Sequence, residues 1–384
     1  MVSISLDRQN KNIISTWWWT IDKLSLFAIL AVIAFGAVMV ATASPAIADR
    51  IGFDSFYFVR RQLVYLSFSV VILVGISFLS PLYIRRMATL GFIAGIILML
   101  GVLLFGAETN GAKRWIFFGG MSLQPSEFMK PFFVVITAWM LSEAKTRDGF
   151  KGFHISFILY GLLAGLLVMQ PDFGMFVVVT AVWAGQLFIA GMPMMWVSSI
   201  AVAGVFAMLM AYLFFPHVAH RIDNFISTDN KGNYQVRRSL EAFDSGGFIG
   251  RGPGEGVVKQ HLPDSHTDFI FAVIGEELGA ITCIIVVGLY GFIVIRGFRR
   301  MMDESDLFFV HAVSGLLMQF GLQAIINMGV ALNLLPTKGM TLPFISYGGS
   351  SMLSIAVAMG MMIALTKKRF GYVVKKPKML WEDQ

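Results

Sequence analysis

Apolar runs of roughly twenty residues recur along this chain from Leu24 to Thr366, and few charges interrupt them. A run of that length, wound as a helix, crosses about 30 Å of hydrocarbon. The recurrence leaves few alternatives, because a backbone in lipid must satisfy its own polar groups within helices or a closed barrel. A barrel needs strands of about ten alternating residues, and that pattern is missing. Charged residues make up only 14% of the chain, against about 25% in soluble domains. The expected fold is an all-α polytopic membrane protein of about ten transmembrane helices. The spans fall near 24–44, 60–79, 88–106, 127–143, 155–170, 173–190, 196–215, 269–295, 306–332 and 344–366.

Ten spans put both termini on one side. The short connections on that side hold Arg85 and Arg86, then Lys145, Arg147 and Lys151, then Arg296, Arg299 and Arg300. The tail adds Lys367, Lys368, Arg369, Lys375, Lys376 and Lys378. The opposite short loops are poor in Lys and Arg, so the positive-inside rule makes both termini cytoplasmic. The net charge of +7 is therefore read as orientation against an anionic membrane surface, with no nucleic-acid partner. The organisation that follows is a cytoplasmic segment over 1–23, a membrane domain over 24–366 and a basic cytoplasmic tail over 367–384. No cleaved leader is expected, since Trp17–Trp19 lead into a first span with the look of a retained one. The lone Cys283 excludes a disulfide within the chain and offers no metal cluster. The 24 Met and 38 Gly suit closely packed apolar helices.

Between the seventh and eighth spans lies a large outer loop, 216–268, with Arg221, Arg237, Arg238 and Arg251. It is Gly-rich and longer than a connector needs to be, as functional loops often are. Its run Gly250-Arg251-Gly252-Pro253-Gly254-Glu255-Gly256 lets backbone approach a ligand closely. Asp268 follows where the loop meets the eighth span, after His266 and Thr267. Ser265 and Asp268 have capping-box spacing, so Asp268 either caps a helix or does chemistry.

Other polar residues sit where lipid makes them costly. Lys113 and Arg114 precede Glu127 and Lys130, which stand one turn apart. Either Glu127 merely suits a helix start or the three cations face a lined cavity. Gln170-Pro171-Asp172 separates two spans as a tight turn or a broken helix. Glu276 and Glu277 lie in an apolar helix about 12 Å below Asp268 and require internal partners. Gln319, Gln323 and Asn327 recur every four residues as one polar face, for interhelical bonding or a headgroup groove. Lys338, Ser346 and Ser350 belong to a Pro- and Gly-rich return into the last span, where Lys338 faces either a phosphate or solvent.

Together, Asn110–Trp115, Gln124–Glu127, Gln170–Asp172, the 250–256 run, His266–Phe271 with Gly275–Gly279, and Pro336–Ser351 resemble the SEDS family, the FtsW/RodA/SpoVE-type peptidoglycan glycosyltransferases. The match covers nearly the whole membrane region in the expected order. The stretch Thr337–Pro343 resembles the FtsW division branch and departs from the RodA type. The resemblance implies a ten-helix SEDS fold that polymerises lipid II on the outer face of the cytoplasmic membrane, at the division septum. It places the family's essential acidic residue on Asp268. It also implies a class B penicillin-binding protein of the FtsI type and other divisome proteins as partners. On this reading Asp268 is the catalytic base, and Lys113, Arg114, Lys130, Arg251 and Lys338 are candidates to meet the pyrophosphate charge. Glu127, Asp172, His266, Thr267, Glu276, Glu277, Gln319, Asn327, Ser346 and Ser350 would be supporting polar groups. No tightly bound cofactor is expected, although a divalent cation, Mg or Mn, could help neutralise the leaving group. A lipid II flippase and a non-enzymatic scaffold for the penicillin-binding protein are the rival readings.

Overall fold

The computed structural model describes residues 12–109, 112–118, 121–214, 219, 223, 234–302, 304–337 and 339–368. A short helix α1 (Ile13–Thr20) precedes seven helices: α2 (Lys23–Arg50), α3 (Tyr57–Ser77), α4 (Pro81–Phe105), α5 (Pro125–Thr146), α6 (Gly152–Met169), α7 (Phe173–Ile189) and α8 (Met194–Phe214). Then come α9 (Tyr234–Gly246), α10 (Ile270–Met302), α11 (Leu307–Ala331) and α12 (Gly349–Leu365). The ten expected spans coincide with α2–α8 and α10–α12. Among the described residues, six helices (α2, α3, α4, α6, α10 and α11) contain a stretch long and apolar enough to cross a membrane. Shorter apolar helices are α7, α12 and the Met194–Phe206 part of α8.

Burial sorts these helices into layers. α12 is buried along nearly its whole length, and α5 and α11 along most of theirs. By contrast α8 exposes Met195, Val202, Val205, Leu209 and Leu213, and α3 and α4 expose Val71, Leu90 and Ile97. Large exposed aliphatic side chains on an outer ring of helices are what lipid contact produces. The core is polar at chosen points, including Thr137 bonded to Gln186 at 2.8 Å and Trp183 bonded to Ser156 at 2.9 Å.

Two elements outside the spans go beyond the sequence expectation. Residues 107–123 form a small antiparallel sheet, β1 (Ala107–Thr109), β2 (Ala112–Phe118) and β3 (Met121–Leu123), in the order β1-β2-β3. Thr109 pairs with Ala112 and Phe118 with Met121, so each connection is two residues, Asn-Gly and Gly-Gly in sequence. Such pairs are strong hairpin signals. The 216–268 loop holds the amphipathic α9, which buries Val236, Ser239, Ala242 and Gly246 and donates from Ser239 Oγ to the Ala331 carbonyl at 2.6 Å.

α10 is kinked at Gly279, whose φ of +79° is non-helical. A kink leaves backbone groups without helical partners, and the loop after α9 supplies them. Ala280 N donates to Gly247 O at 2.9 Å and Ile281 N to Phe248 O at 3.3 Å. In return Arg251 N donates to Glu276 O at 3.0 Å and Gly252 N to Glu277 O at 2.9 Å. A Cβ on Gly250 would collide with the Glu277 carbonyl. The glycine run therefore allows close approach, and at Gly250 the group approached is the backbone of α10.

Candidate active site around Asp268

The segment His266–Asp268 runs just ahead of α10 and is held by three successive carbonyls. His266 O accepts from Tyr347 N at 2.8 Å, Thr267 O from Ser346 Oγ at 2.5 Å, and Asp268 O from Asn327 Nδ2 at 2.8 Å. Two of the donors come from the return before α12 and one from α11. With its backbone fixed this way, the half-buried Asp268 has little freedom left except its own rotamers. Its carboxylate points toward Gly339, where a Cβ would stand 3.5 Å from Asp268 Oδ2. The Ser265 half of a capping box is not made, because Ser265 Oγ is buried without a hydrogen-bond partner.

The return itself is positioned from below. Asn327 Nδ2 also donates to Met340 O at 2.6 Å, and Gln323 Nε2 donates to Thr341 O at 3.2 Å and Ser351 Oγ at 3.0 Å. Gln323 Oε1 in turn accepts from Lys130 Nζ at 3.1 Å, and that ammonium pairs with Glu127 Oε2 at 2.7 Å. Glu127, Lys130, Gln323 and Asn327 thus form a continuous column on α5 and α11 ending beside Asp268. The one-turn spacing of Glu127 and Lys130 is realised as an ion pair, with Lys130 buried. Gln319, the third member of the polar face, is buried too, and its Oε1 has no hydrogen-bond partner.

Arg114 serves a second polar cluster. It donates from Nε to Gln170 O at 2.9 Å, and also to Pro171 O, and its Nη1 lies 3.9 Å from Asp172 Oδ1. Asp172 caps α7 through Met175 N at 3.2 Å and accepts from Gln124 Nε2 at 3.2 Å. The Gln170–Asp172 stretch is therefore a tight turn between two helices. Gln124 N reaches Ser350 Oγ at 3.0 Å, and Ser350 neighbours Ser351 of the first cluster, so the two networks meet at the start of α12.

Other sequence candidates fall elsewhere. Glu276 accepts from Val257 N, Val258 N and Lys259 N at 2.7, 2.7 and 2.9 Å. Glu277 pairs with Lys259, which also donates to Thr42 O at 2.9 Å. These glutamates have the internal partners their burial requires, but the partners belong to the 216–268 loop. Arg251 is exposed and donates from Nε to Ser245 O at 3.1 Å. Lys113 is half-buried on β2, and its ammonium makes no hydrogen bond or ion pair among the described residues. Lys338 lies outside the described residues, as do Arg221 and the tail beyond 368. Sequence reading missed Lys259, whose only signal was that two buried glutamates need a cation. It also missed the aromatic wall of Phe58 and Tyr347 around His266, at centroid distances of 4.7 and 5.4 Å, for which the sequence carries no signal. Burial, then the charge of Arg50, pushes the His266 imidazole down to about 4.

The family model for the FtsW/RodA/SpoVE cell cycle proteins matches residues 23–370. The chain belongs to that family. It is 41% identical over 365 residues, 95% of this chain and 94% of the other, to a Caulobacter vibrioides protein named "Probable peptidoglycan glycosyltransferase FtsW". A Coxiella burnetii protein of the same name is 37% identical over 91% of this chain and 97% of its own. Among solved structures, Thermus thermophilus RodA, a rod shape determining protein, superposes with a TM-score of 0.69 at 26% identity, covering 91% of this chain and 97% of that one. A chain from a structure described as the coordination of polymerization and crosslinking by a peptidoglycan synthase complex gives 0.73, also at 26% identity, over 91% and 98%. The FtsW/RodA/SpoVE family assignment and the apolar helices make this a multi-pass membrane protein.

Proposed function

We propose that this chain polymerises lipid II into glycan strands at the outer membrane face during septal wall synthesis, with Asp268 as general base. The observation that carries the reading is the triple backbone clamp on His266–Asp268, which holds one carboxylate at a fixed place above a buried polar column. Asp268 takes the proton from the 4-hydroxyl of the acceptor GlcNAc as that oxygen bonds to the donor's anomeric carbon. The bond from that carbon to the pyrophosphate oxygen breaks, and undecaprenyl pyrophosphate leaves with the electron pair. A pyrophosphate leaving group needs no protonation by a second carboxylate, unlike the sugar alcohol expelled in glycoside hydrolysis.

Developing negative charge on the leaving group must still be met. Lys338 is a candidate through its place beside Gly339, which borders Asp268. Lys113 is another, having no protein partner among the described residues. Arg114 and Lys130 are committed to Asp172 and Glu127, so their charge acts through position. Among the described residues no three His, Cys, Asp or Glu side chains converge to hold a metal ion. The proton transfer to Asp268 requires no metal ion, and a divalent cation brought with the pyrophosphate would need only one or two carboxylates of the chain.

Both termini are assigned to the cytoplasm by the charge of the short loops, and a class B penicillin-binding protein of the FtsI type, with other divisome proteins, is the expected company. The test is polymer formation from labelled lipid II by the chain with its transpeptidase partner, crosslinking blocked. Wild type should make glycan and folded Asp268→Asn should not. Equal polymer from both would remove Asp268 as base. Lipid movement without polymer would favour a flippase, and partner binding alone a scaffold.

A further inference from the structure

The end of α10 farthest from Asp268 carries a cleft of about 350 Å³ lined by Phe292, Ile295, Arg296, Arg299 and Arg300. We propose that it binds an anionic glycerophospholipid of the leaflet on that side. The phosphodiester would lie against the guanidinium groups and an acyl chain along Phe292 and Ile295. This inference is independent of Asp268 and of the reaction assigned to it.

Charge is the first argument. Asp22 is the carboxylate that pairs with these arginines. It accepts from Arg296 Nε and Nη2, both at 2.7 Å, and lies 3.4 Å from Arg300 Nε. Arg300 Nη1 is further spent on Thr366 O at 3.3 Å. Three guanidinium groups thus line the cleft, two of them on Asp22, the one carboxylate paired with them among the described residues, and the end of the helix dipole offsets only about half a charge more. Arg299 is exposed and enters none of these pairs.

Arrangement is the second. Phe292, Ile295 and Arg299 follow i, i+3, i+7 spacing and share one helix face. Phe292 is 43% exposed and Ile295 54% exposed, on a helix whose other exposed residues include Ile281, Ile284 and Ile285. Seven residues of helix separate Phe292 from Arg299 by about 10 Å, comparable to the drop from a lipid phosphate to its upper acyl carbons. A soluble anion would use the arginines and leave the apolar floor unused, whereas a phospholipid uses both.

The test is native mass spectrometry of the full chain in micelles titrated with phosphatidylglycerol or phosphatidylcholine. Phosphatidylglycerol should be retained preferentially. Arg299→Gln, which leaves the Asp22 pairs intact, should weaken its retention about fivefold, the effect of roughly one interfacial cation. Arg299→Lys should stay near wild type, Ile295→Gln should weaken both lipids, and Arg86→Gln, on another helix, should change nothing. Equal retention of the two lipids would overturn the proposal, as would an unaltered Arg299→Gln or an equal loss in Arg86→Gln. Displacement by soluble glycerophosphoglycerol at matched concentration would also overturn it, marking a site for free anions.

Discussion

Asp268 and the Glu276–Glu277 pair lie eight residues apart on the same approach to one helix, and in sequence both read as acidic groups where lipid discourages them. The structure treats them in opposite ways. Glu276 and Glu277 are 0% and 1% exposed, and Glu276 is saturated by three backbone amides while Glu277 holds the Lys259 ammonium. Asp268 is half-buried, and the bonds that fix its segment fall on the main chain. A carboxylate consumed by amides and a buried lysine fastens a loop. The Asp268 segment is fixed through its backbone instead, with Oδ2 3.5 Å from where a Cβ on Gly339 would stand. The difference teaches that burial alone does not say what an acidic residue does: Glu276 and Glu277 fasten a loop, and the role proposed for Asp268 is separated from theirs by measuring turnover against stability.

The largest effect expected from this contrast is on turnover. Asp268→Asn should lower glycan polymerisation by about 10²- to 10⁴-fold, the usual worth of a general base, with little change in thermal unfolding of the extracted protein. Glu277→Ala should behave the other way, losing on the order of 3–5 kcal/mol because it strands a buried ammonium. Replacing Lys259 and Glu277 together with Met and Leu should recover much of that loss. A Glu277→Ala protein as stable as wild type but inactive would erase the distinction between the two acidic regions.

Much of this contrast was open to sequence reasoning, and its limits are physical. The spans were legible because lipid imposes a length and a composition on every helix. Asp268 was singled out through resemblance, while its spacing from Ser265 suggested a capping box that is half absent. The role of the glycine run was not legible, since it depends on a kink at Gly279 that a local pattern does not announce. The β1–β2 hairpin had its signal in Asn110-Gly111, overshadowed by the charges that follow. Lys259 could not be matched to Glu277 from sequence, because the pairing is a tertiary contact across 18 positions. Lys130 and Gln323 are 193 positions apart, and only the assembled bundle shows them to be one column.

Next in size is an acid effect at the clamp. His266 stays neutral in the folded chain down to about 4, through burial first and Arg50 second. The unfolded chain takes up a proton below about 6.5, so stability from this residue is complete above that value. It declines as pH falls toward 4 and levels off beyond. The loss across this window is on the order of 3 kcal/mol by linkage. Thermal unfolding at pH 7 and pH 4.5 should show it, and His266→Phe should flatten that dependence. An unchanged slope in the variant would relocate the titration to another group.

Asn327→Leu should cost about 1–3 kcal/mol, the penalty for leaving buried carbonyls unpaired, here those of Asp268 and Met340. Because these carbonyls belong to the two segments that meet at the carboxylate, polymerisation should fall more steeply than stability. If the two fall in proportion, the column beneath Asp268 is scaffolding of the same kind as the Glu276–Glu277 latch, and the contrast narrows to the aspartate alone.

The finest distinction is at Gly339. Its φ of +65° lies in the left-handed region, where a side chain costs about 1–2 kcal/mol. A methyl there would meet Asp268 Oδ2 at 3.5 Å, an ordinary contact that forces no movement of the carboxylate. Gly339→Ala should therefore fold with a loss of about 1 kcal/mol. If Asp268 is the base proposed, the methyl would crowd Oδ2, the atom that takes up the hydroxyl proton. Turnover should drop about tenfold, below the roughly 10²-fold that an ångström of misplacement can cost. Gly250→Ala is the matched change at the other acidic region, a positive-φ glycine pressed on the Glu277 carbonyl. It should damage stability first and turnover only in proportion. Opposite rankings for the two glycine variants in unfolding and polymerisation assays would separate the carboxylate proposed as base from the fastening ones without touching either.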